Sequence, residues 1–157
     1  SFDKKDSLGT SPSIFSIMEK KTKVFELLIK HGVVYIEDCL KTAAWTGQIE
    51  LIDKIISKGA KDIDEALCVA AQAGKTEVVK YLISKHRADP KKASFQNSPL
   101  LSHAVLSNEL ALVKFLVEDM GVDVTLTDEL NIKPTDLAQA CGFKEISEYL
   151  YKTETGS

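Results

Sequence analysis

The chain has 157 residues, 44% of them hydrophobic, and a formal net charge of −3. This length fits about one domain with a core, and the slight acidic excess gives no electrostatic support for general binding to nucleic acid or anionic membranes. No apolar run reaches the roughly 18 to 20 residues of a membrane-spanning helix, and residues 1–11 lack the apolar stretch of a signal peptide.

From Pro12 onward the sequence repeats one pattern: a short helix, a turn and a second, amphipathic helix. The turns fall at positions separated by 27, 27, 34 and 34 residues, spacings typical of solenoid arrays: Lys20, Gly47, Gly74, Asn108 and Gly142. Gly and Asn readily take the left-handed conformation that ends a helix. Lys20 does not, so the first unit fits the pattern least.

The predicted repeat domain covers residues 12–152, with residues 1–11 and 153–157 as flexible ends. Its units lie near 12–36, 37–63, 64–97, 98–132 and 133–152. Pro12, Ser98-Pro99 and Pro134 suit helix starts, as do the acidic residues at 37–38 and 62–65. Because the chain begins at Ser1 without Met, we expect it to be part of a longer protein.

The second helices carry apolar residues at i, i+3, i+4 and i+7, which indicates one face packed on a neighbour. No unit could bury that face alone, so stacking must supply the core. Two longer connections, Arg87–Asn97 and Gly121–Lys133, predict short β-turn fingers, the second formed by 122–124 and 128–131. The predicted fold class is all-α, a helix-turn-helix solenoid with one or two such fingers.

These residues resemble the ankyrin repeat, with its Thr-Pro-Leu-His helix start, Leu-Ala-Ala, Gly turn, Val-x-x-Leu-Leu helix and β-hairpin. Residues 70–74 followed by Val79, Leu82 and Ile83 match it well, as do residues 121–142. The His slot is degenerate, and the first two units are short. In the five units, the residues in the His slot are Ile14, Lys41, Cys68, Ser102 and Asp136. The tetratricopeptide family also repeats every 34 residues, but it lacks a Gly turn placed this way.

No catalytic, metal-binding or cofactor-binding motif is predicted. The three histidines are dispersed: His31 and His86 at second-helix C-termini, and His103 as an inter-repeat contact. Cys68 and His103 could become neighbours, but nothing in the sequence would lower the pKa of Cys68. We expect Cys68, Cys39 and Cys141 to be buried and reduced, as in a cytosolic protein.

The resemblance implies that the two residues before each turn often face the concave, partner-binding side. Trp45 is the only tryptophan, and tryptophan is enriched among interface hot spots. It could instead pack between units in place of a missing finger. The predicted partner-binding residues, including those on the two fingers, are Met18, Trp45, Thr46, Gln72, Phe95, Leu106, Ser107, Asp128 and Glu129.

The sequence therefore predicts a non-catalytic, monomeric, cytoplasmic module that binds a partner protein or peptide on the concave face and finger tips. The alternative is a targeting or recognition segment of a larger multidomain protein or pathogen effector, acting in a host cytosol, whose catalytic activity lies elsewhere. The chain beyond Leu106 contains ten acidic residues and four lysines, so its net charge is −6. This acidic end either favours a basic partner or serves as a solubilising cap.

Overall fold

The structure, a computed structural model, describes residues 3–33 and 35–157. Within them, ten α-helices follow one another as five pairs, as the repeat pattern predicts. The pairs are α1 (Pro12–Met18) with α2 (Thr22–Lys30), α3 (Ile36–Thr46) with α4 (Ile49–Ser57), α5 (Ile63–Gln72) with α6 (Thr76–His86), α7 (Leu100–Leu106) with α8 (Leu110–Lys114), and α9 (Pro134–Ala140) with α10 (Lys144–Thr155). A π-helical turn, Phe115–Asp119, extends α8.

The turn within each pair is left-handed at the position that the sequence spacing predicts. The backbone φ angle there is 55° at Lys20, 78° at Gly47, 70° at Gly74, 58° at Asn108 and 76° at Gly142. In four of the five turns, the residue that follows the turn position donates its amide hydrogen to the carbonyl of the residue five positions before it, at 2.8 to 2.9 Å. This is the bond of a Schellman cap, which satisfies a carbonyl at the helix end.

The core runs the length of the stack. The first helices of successive pairs contact one another in the order α1, α3, α5, α7, α9. Alanines on these helices are fully buried, and their small side chains allow the helices to approach closely: Ala43, Ala44, Ala70, Ala71, Ala104 and Ala138. The second helices cover this layer with larger apolar residues such as Ile52, Leu82 and Leu116.

One predicted finger is a two-stranded antiparallel hairpin, β1 (Ser94–Phe95) with β2 (Ser98–Pro99). Its two-residue loop, Gln96–Asn97, has φ angles of 53° and 57°, as a type I′ turn requires. The other finger, within residues 121–133, has no strands. Its turn is held by Asp128, whose Oδ1 accepts hydrogen bonds from the amides of Leu130 and Ile132 at 2.9 and 3.0 Å.

The start predicted for the fourth unit is wrong, because Ser98–Pro99 belongs to strand β2 and not to a helix. Pro99 is extended, with φ −71° and ψ 161°. The Leu100 amide donates to the carbonyl of Ala93 at 3.0 Å, which joins the helix start to the hairpin. The proline therefore precedes α7, whereas Pro12 and Pro134 open α1 and α9 as predicted.

Residues near both chain ends contact the repeat stack. The described part of the N-terminal segment contains a buried carboxylate, Asp3, which accepts hydrogen bonds from the amide and hydroxyl of Ser13 at 3.0 and 2.9 Å. Ser1 and Phe2, and Val34 of the first unit, lie outside the described residues. At the other end α10 continues to Thr155, and Glu154 pairs with Lys133. Helix α10 thus continues three residues past the predicted domain end at 152.

Candidate partner-binding surface

Three large apolar side chains are half-exposed in the last turns of first helices. Met18 of α1, Trp45 of α3 and Leu106 of α7 have exposed fractions of 53%, 49% and 43%. All three come from the slots before the turn positions. Because these helices lie in one layer, the side chains emerge on the same side of the stack, where exposed apolar groups are typical of an interaction surface.

Trp45 lines a groove of about 390 Å³, which we call the Trp45 groove. Its lining residues are Met18, Lys41, Thr42, Trp45, Thr46 and Val69. Thr46 is held within it by a 2.9 Å hydrogen bond to the carbonyl of Thr42, and it accepts a 2.7 Å bond from the Gln48 side chain. The groove wall at Thr46 is thus held by hydrogen bonds within the chain.

A second concavity, the Ser102 pocket, has a volume of about 240 Å³ and lies where the third, fourth and fifth units meet. It brings together four predicted partner-binding residues, namely Gln72, Leu106, Asp128 and Glu129. Its full lining is Gln72, Gln96, Ser98, Ser102, His103, Leu106, Asp128, Glu129, Leu130 and Leu137. A larger concavity of about 670 Å³, against α9 and α10, contains none of the predicted residues.

His103 joins the hairpin to two units, as expected for an inter-repeat contact. Its Nε2 donates to the carbonyl of Phe95 at 3.0 Å, and its Nδ1 lies 2.8 Å from Oε1 of Gln72. The Phe95 ring is half-buried beside the imidazole, with Lys41 Nζ 5.2 Å from its centroid. Phe95 therefore lies on strand β1 and not at the tip of the finger, which is formed by Gln96 and Asn97.

Ser107 has a structural role in the turn after α7. Its hydroxyl donates to the carbonyl of Ala104 at 2.6 Å and accepts from the amide of Glu109 at 3.2 Å.

Sequence reasoning missed Leu130, which is 72% exposed on the turn that contains Asp128 and Glu129 (the acidic turn) and lines the Ser102 pocket. An apolar residue between Asp128-Glu129 and Asn131 is the signal that could have identified it.

The two buried cysteines, Cys39 and Cys68, lie in environments that disfavour the thiolate. Burial raises the pKa of Cys39 to about 11 and that of Cys68 to about 12. All three are free, but the expectation that Cys141 is buried is wrong, since it caps the end of α9 in an exposed position. In residues 3–33 and 35–157, no three potential metal-ligating side chains of His, Cys, Asp or Glu come together.

The family model for ankyrin repeats matches residues 40–128, with three copies of the repeat. This match covers more than half of the chain, and the helix pairs and left-handed turns agree with it. The chain belongs to the ankyrin repeat family. A search of curated protein sequences gives no significant match.

Ankyrin repeats are in general protein–protein interaction modules and are generally non-catalytic. The matched residues begin in α3 and end in the acidic turn after α8. The pairs α1–α2 and α9–α10 lie outside the match, yet α1 packs on α3 and α9 on α7. The ankyrin stack therefore has five pairs. No helix among the described residues is both long and apolar enough to cross a membrane.

Proposed function

We propose that this chain is a non-catalytic module that binds a partner protein or peptide on the concave face formed by its first helices. The observation that carries the proposal is Trp45, which stays half-exposed beside the half-exposed Met18 in a groove of about 390 Å³. A tryptophan on an open groove loses contact with water when a partner covers it, and such residues dominate binding energy at many interfaces.

The surrounding contacts favour binding over a purely structural role for Trp45. Thr42 and Thr46 are already hydrogen-bonded to each other, and Lys41 is paired with Glu65 at 3.2 Å. Little reorganisation is needed before a partner docks, which lowers the entropic cost of association. Leu106 extends the apolar surface, and Asp128 and Glu129 supply polar contacts at its far end.

The proposed module is monomeric and acts in the cytoplasm. Its three cysteines are free, two of them buried, which fits a reducing compartment. The five stacked pairs share one continuous core, so the fold needs no second copy to bury its apolar residues.

Selection of random linear peptides displayed on phage, with the whole chain as bait, tests this function. We expect selected peptides to quench or shift Trp45 emission and to bind the Trp45→Ala variant at least tenfold more weakly. The matched control is Leu27→Ala, which truncates another exposed apolar residue, on the second-helix layer. If the selected peptides bind wild type and folded Trp45→Ala with equal affinity, the proposal is overturned.

A further inference from the structure

The Ser102 pocket contains a buried hydroxyl with no partner. Ser102 is 2% exposed, and its Oγ makes no hydrogen bond to any described residue. Leaving a buried polar group unpaired is energetically unfavourable. Ser102 lines the pocket, so a hydrogen-bond donor that reaches this oxygen from the pocket would meet an acceptor with no other partner.

The same pocket is also lined by two carboxylates, those of Asp128 and Glu129. Asp128 uses Oδ1 to hold its turn through the amides of Leu130 and Ile132, and neither Asp128 nor Glu129 forms an ion pair with a described residue. Glu129 is exposed, beside the pocket. The turn therefore presents negative charge in the part of the chain beyond Leu106, which already carries an acidic excess.

The remaining walls suit an aliphatic chain. Leu106, Leu130 and Leu137 line the pocket together with the polar groups. Lysine and arginine side chains combine an apolar stem with a cationic head that only donates hydrogen bonds. Acceptors at one position and apolar walls at another are the combination that such a side chain needs.

We infer that the Ser102 pocket receives a basic side chain, arginine or lysine, of the same peptide whose apolar residue occupies the Trp45 groove. The stem lies along Leu106 and Leu137, the cationic head meets the carboxylates of Asp128 and Glu129, and Ser102 Oγ accepts one of its hydrogen bonds. This inference rests on the proposed function, and it adds the chemistry of the partner.

The stack also predicts the spacing between the two partner residues. Trp45 is on α3 and Leu106 on α7, with α5 packed between them. Packed helices are about 8–10 Å apart, so two steps span about 16–20 Å. An extended chain rises about 3.3 Å per residue. The basic residue should therefore lie about five or six positions from the apolar one.

Small probes test the pocket independently of any peptide. Nα-acetyl-arginine amide and Nα-acetyl-lysine amide are titrated into the isotopically labelled chain, with neutral Nα-acetyl-citrulline amide as the control, and amide shifts are followed by NMR. We expect shifts around Ser102 and Glu129 with a cationic probe and none with citrulline. Equal shifts with citrulline, or shifts spread over the whole acidic surface, overturn the inference.

Two charge variants make the test specific. Glu129→Gln should weaken binding of the cationic probe about tenfold, as expected for loss of a charged hydrogen-bond partner. Glu145→Gln removes the same charge from an exposed site on α10 and should change binding little. Ser102→Ala should also weaken binding while the fold stays intact. Equal effects of Glu129→Gln and Glu145→Gln overturn the inference.

Experiments with the phage-selected peptides separate this inference from the proposed function. Selected peptides that depend on Trp45 should lose affinity when their basic residue is replaced by citrulline. If they depend on Trp45 but carry no basic residue at the predicted spacing, the pocket inference fails and the proposed function stands. If no peptide depends on Trp45, the proposed function fails, and the inference about a shared peptide fails with it.

Discussion

His103 and Gln72 are in contact across two units, with His103 Nδ1 2.8 Å from Gln72 Oε1. The opposite ring nitrogen faces the carbonyl of Phe95 at 3.0 Å, and a carbonyl can only accept, so Nε2 carries a proton. The Gln72 side chain meets Nδ1, so each ring nitrogen of His103 has a partner on the preceding unit. One imidazole thus holds α5, α7 and the hairpin together.

Replacing His103 by alanine should destabilise the fold by about 1–3 kcal/mol, because the part-buried carbonyl of Phe95 and the Gln72 side chain would lose their partner. Urea unfolding followed by circular dichroism measures the change. Gln139→Ala, at an exposed position of α9, serves as the control and should unfold near the wild-type midpoint. An unchanged midpoint for His103→Ala would show that the contact contributes nothing to stability.

Asp53 links two second helices, since it lies on α4 and its carboxylate contacts side chains of α6. The lowered pKa of this carboxyl predicts a loss of stability in acid. Its carboxylate accepts hydrogen bonds from Tyr81 Oη at 2.6 Å and Lys85 Nζ at 2.9 Å, and contacts His86 Nε2 at 2.8 Å. These bonds, that from Tyr81 above all, hold the pKa of Asp53 at about 2, below its ordinary value of 3.8. The unfolded chain therefore takes up the proton first as the pH falls.

The stabilisation from Asp53 is fully present above pH 3.8 and is lost as the pH falls through about 2. We expect Asp53→Asn to flatten the decline in the free energy of unfolding over that window. The side chain is 39% exposed, so the effect should be modest and smaller in high salt. Parallel pH profiles for wild type and Asp53→Asn would contradict this assignment.

Local chemistry explains which parts of this structure are predictable from the sequence. Gly47 and Gly74 mark left-handed turns by residue type, and the regular spacing then locates Trp45 and Leu106. The His103–Gln72 contact and the contacts of Asp53 depend on partners 28 to 33 residues away and on how neighbouring units are placed. No local pattern carries that information. Ser98-Pro99 suits a helix start and a strand equally, and only its pairing with β1 decides between them.

Thiol labelling should distinguish the three cysteines. Cys39 and Cys68 are buried and their thiol pKa values are raised to about 11 and 12, so neither presents a thiolate near neutral pH. Cys141 is exposed. We expect Ellman's reagent to label Cys141 rapidly in the native protein, and all three after denaturation. Cys141→Ser removes the fast phase; persistence of that phase would mean that Cys39 or Cys68 is accessible.

The emission of Trp45 should report a half-exposed indole. With 49% of its side chain accessible and no second tryptophan in the chain, acrylamide should quench the native signal substantially, though less than the denatured one. Binding of a selected peptide should then reduce that quenching. A native signal as protected as that of a fully buried tryptophan would instead mean that Trp45 packs between units.

The first turn offers a stabilising substitution. Lys20 takes φ 55°, a conformation that costs a residue with a Cβ roughly 1–2 kcal/mol. Lys20→Gly removes that strain but adds about 0.4–1 kcal/mol of unfolded-state entropy, so a net gain of about 0.5–1 kcal/mol is expected.

The matched control is Lys21→Gly one position later. Lys21 has an ordinary φ of −85°, so glycine there relieves no strain, brings the entropic cost and removes the contact of Lys21 Nζ with the Phe15 ring, and it should destabilise the chain. Urea midpoints should therefore shift in opposite directions for the two variants. If both glycines lower the midpoint, the strain at Lys20 is too small to matter, and the irregular first turn costs the array no stability.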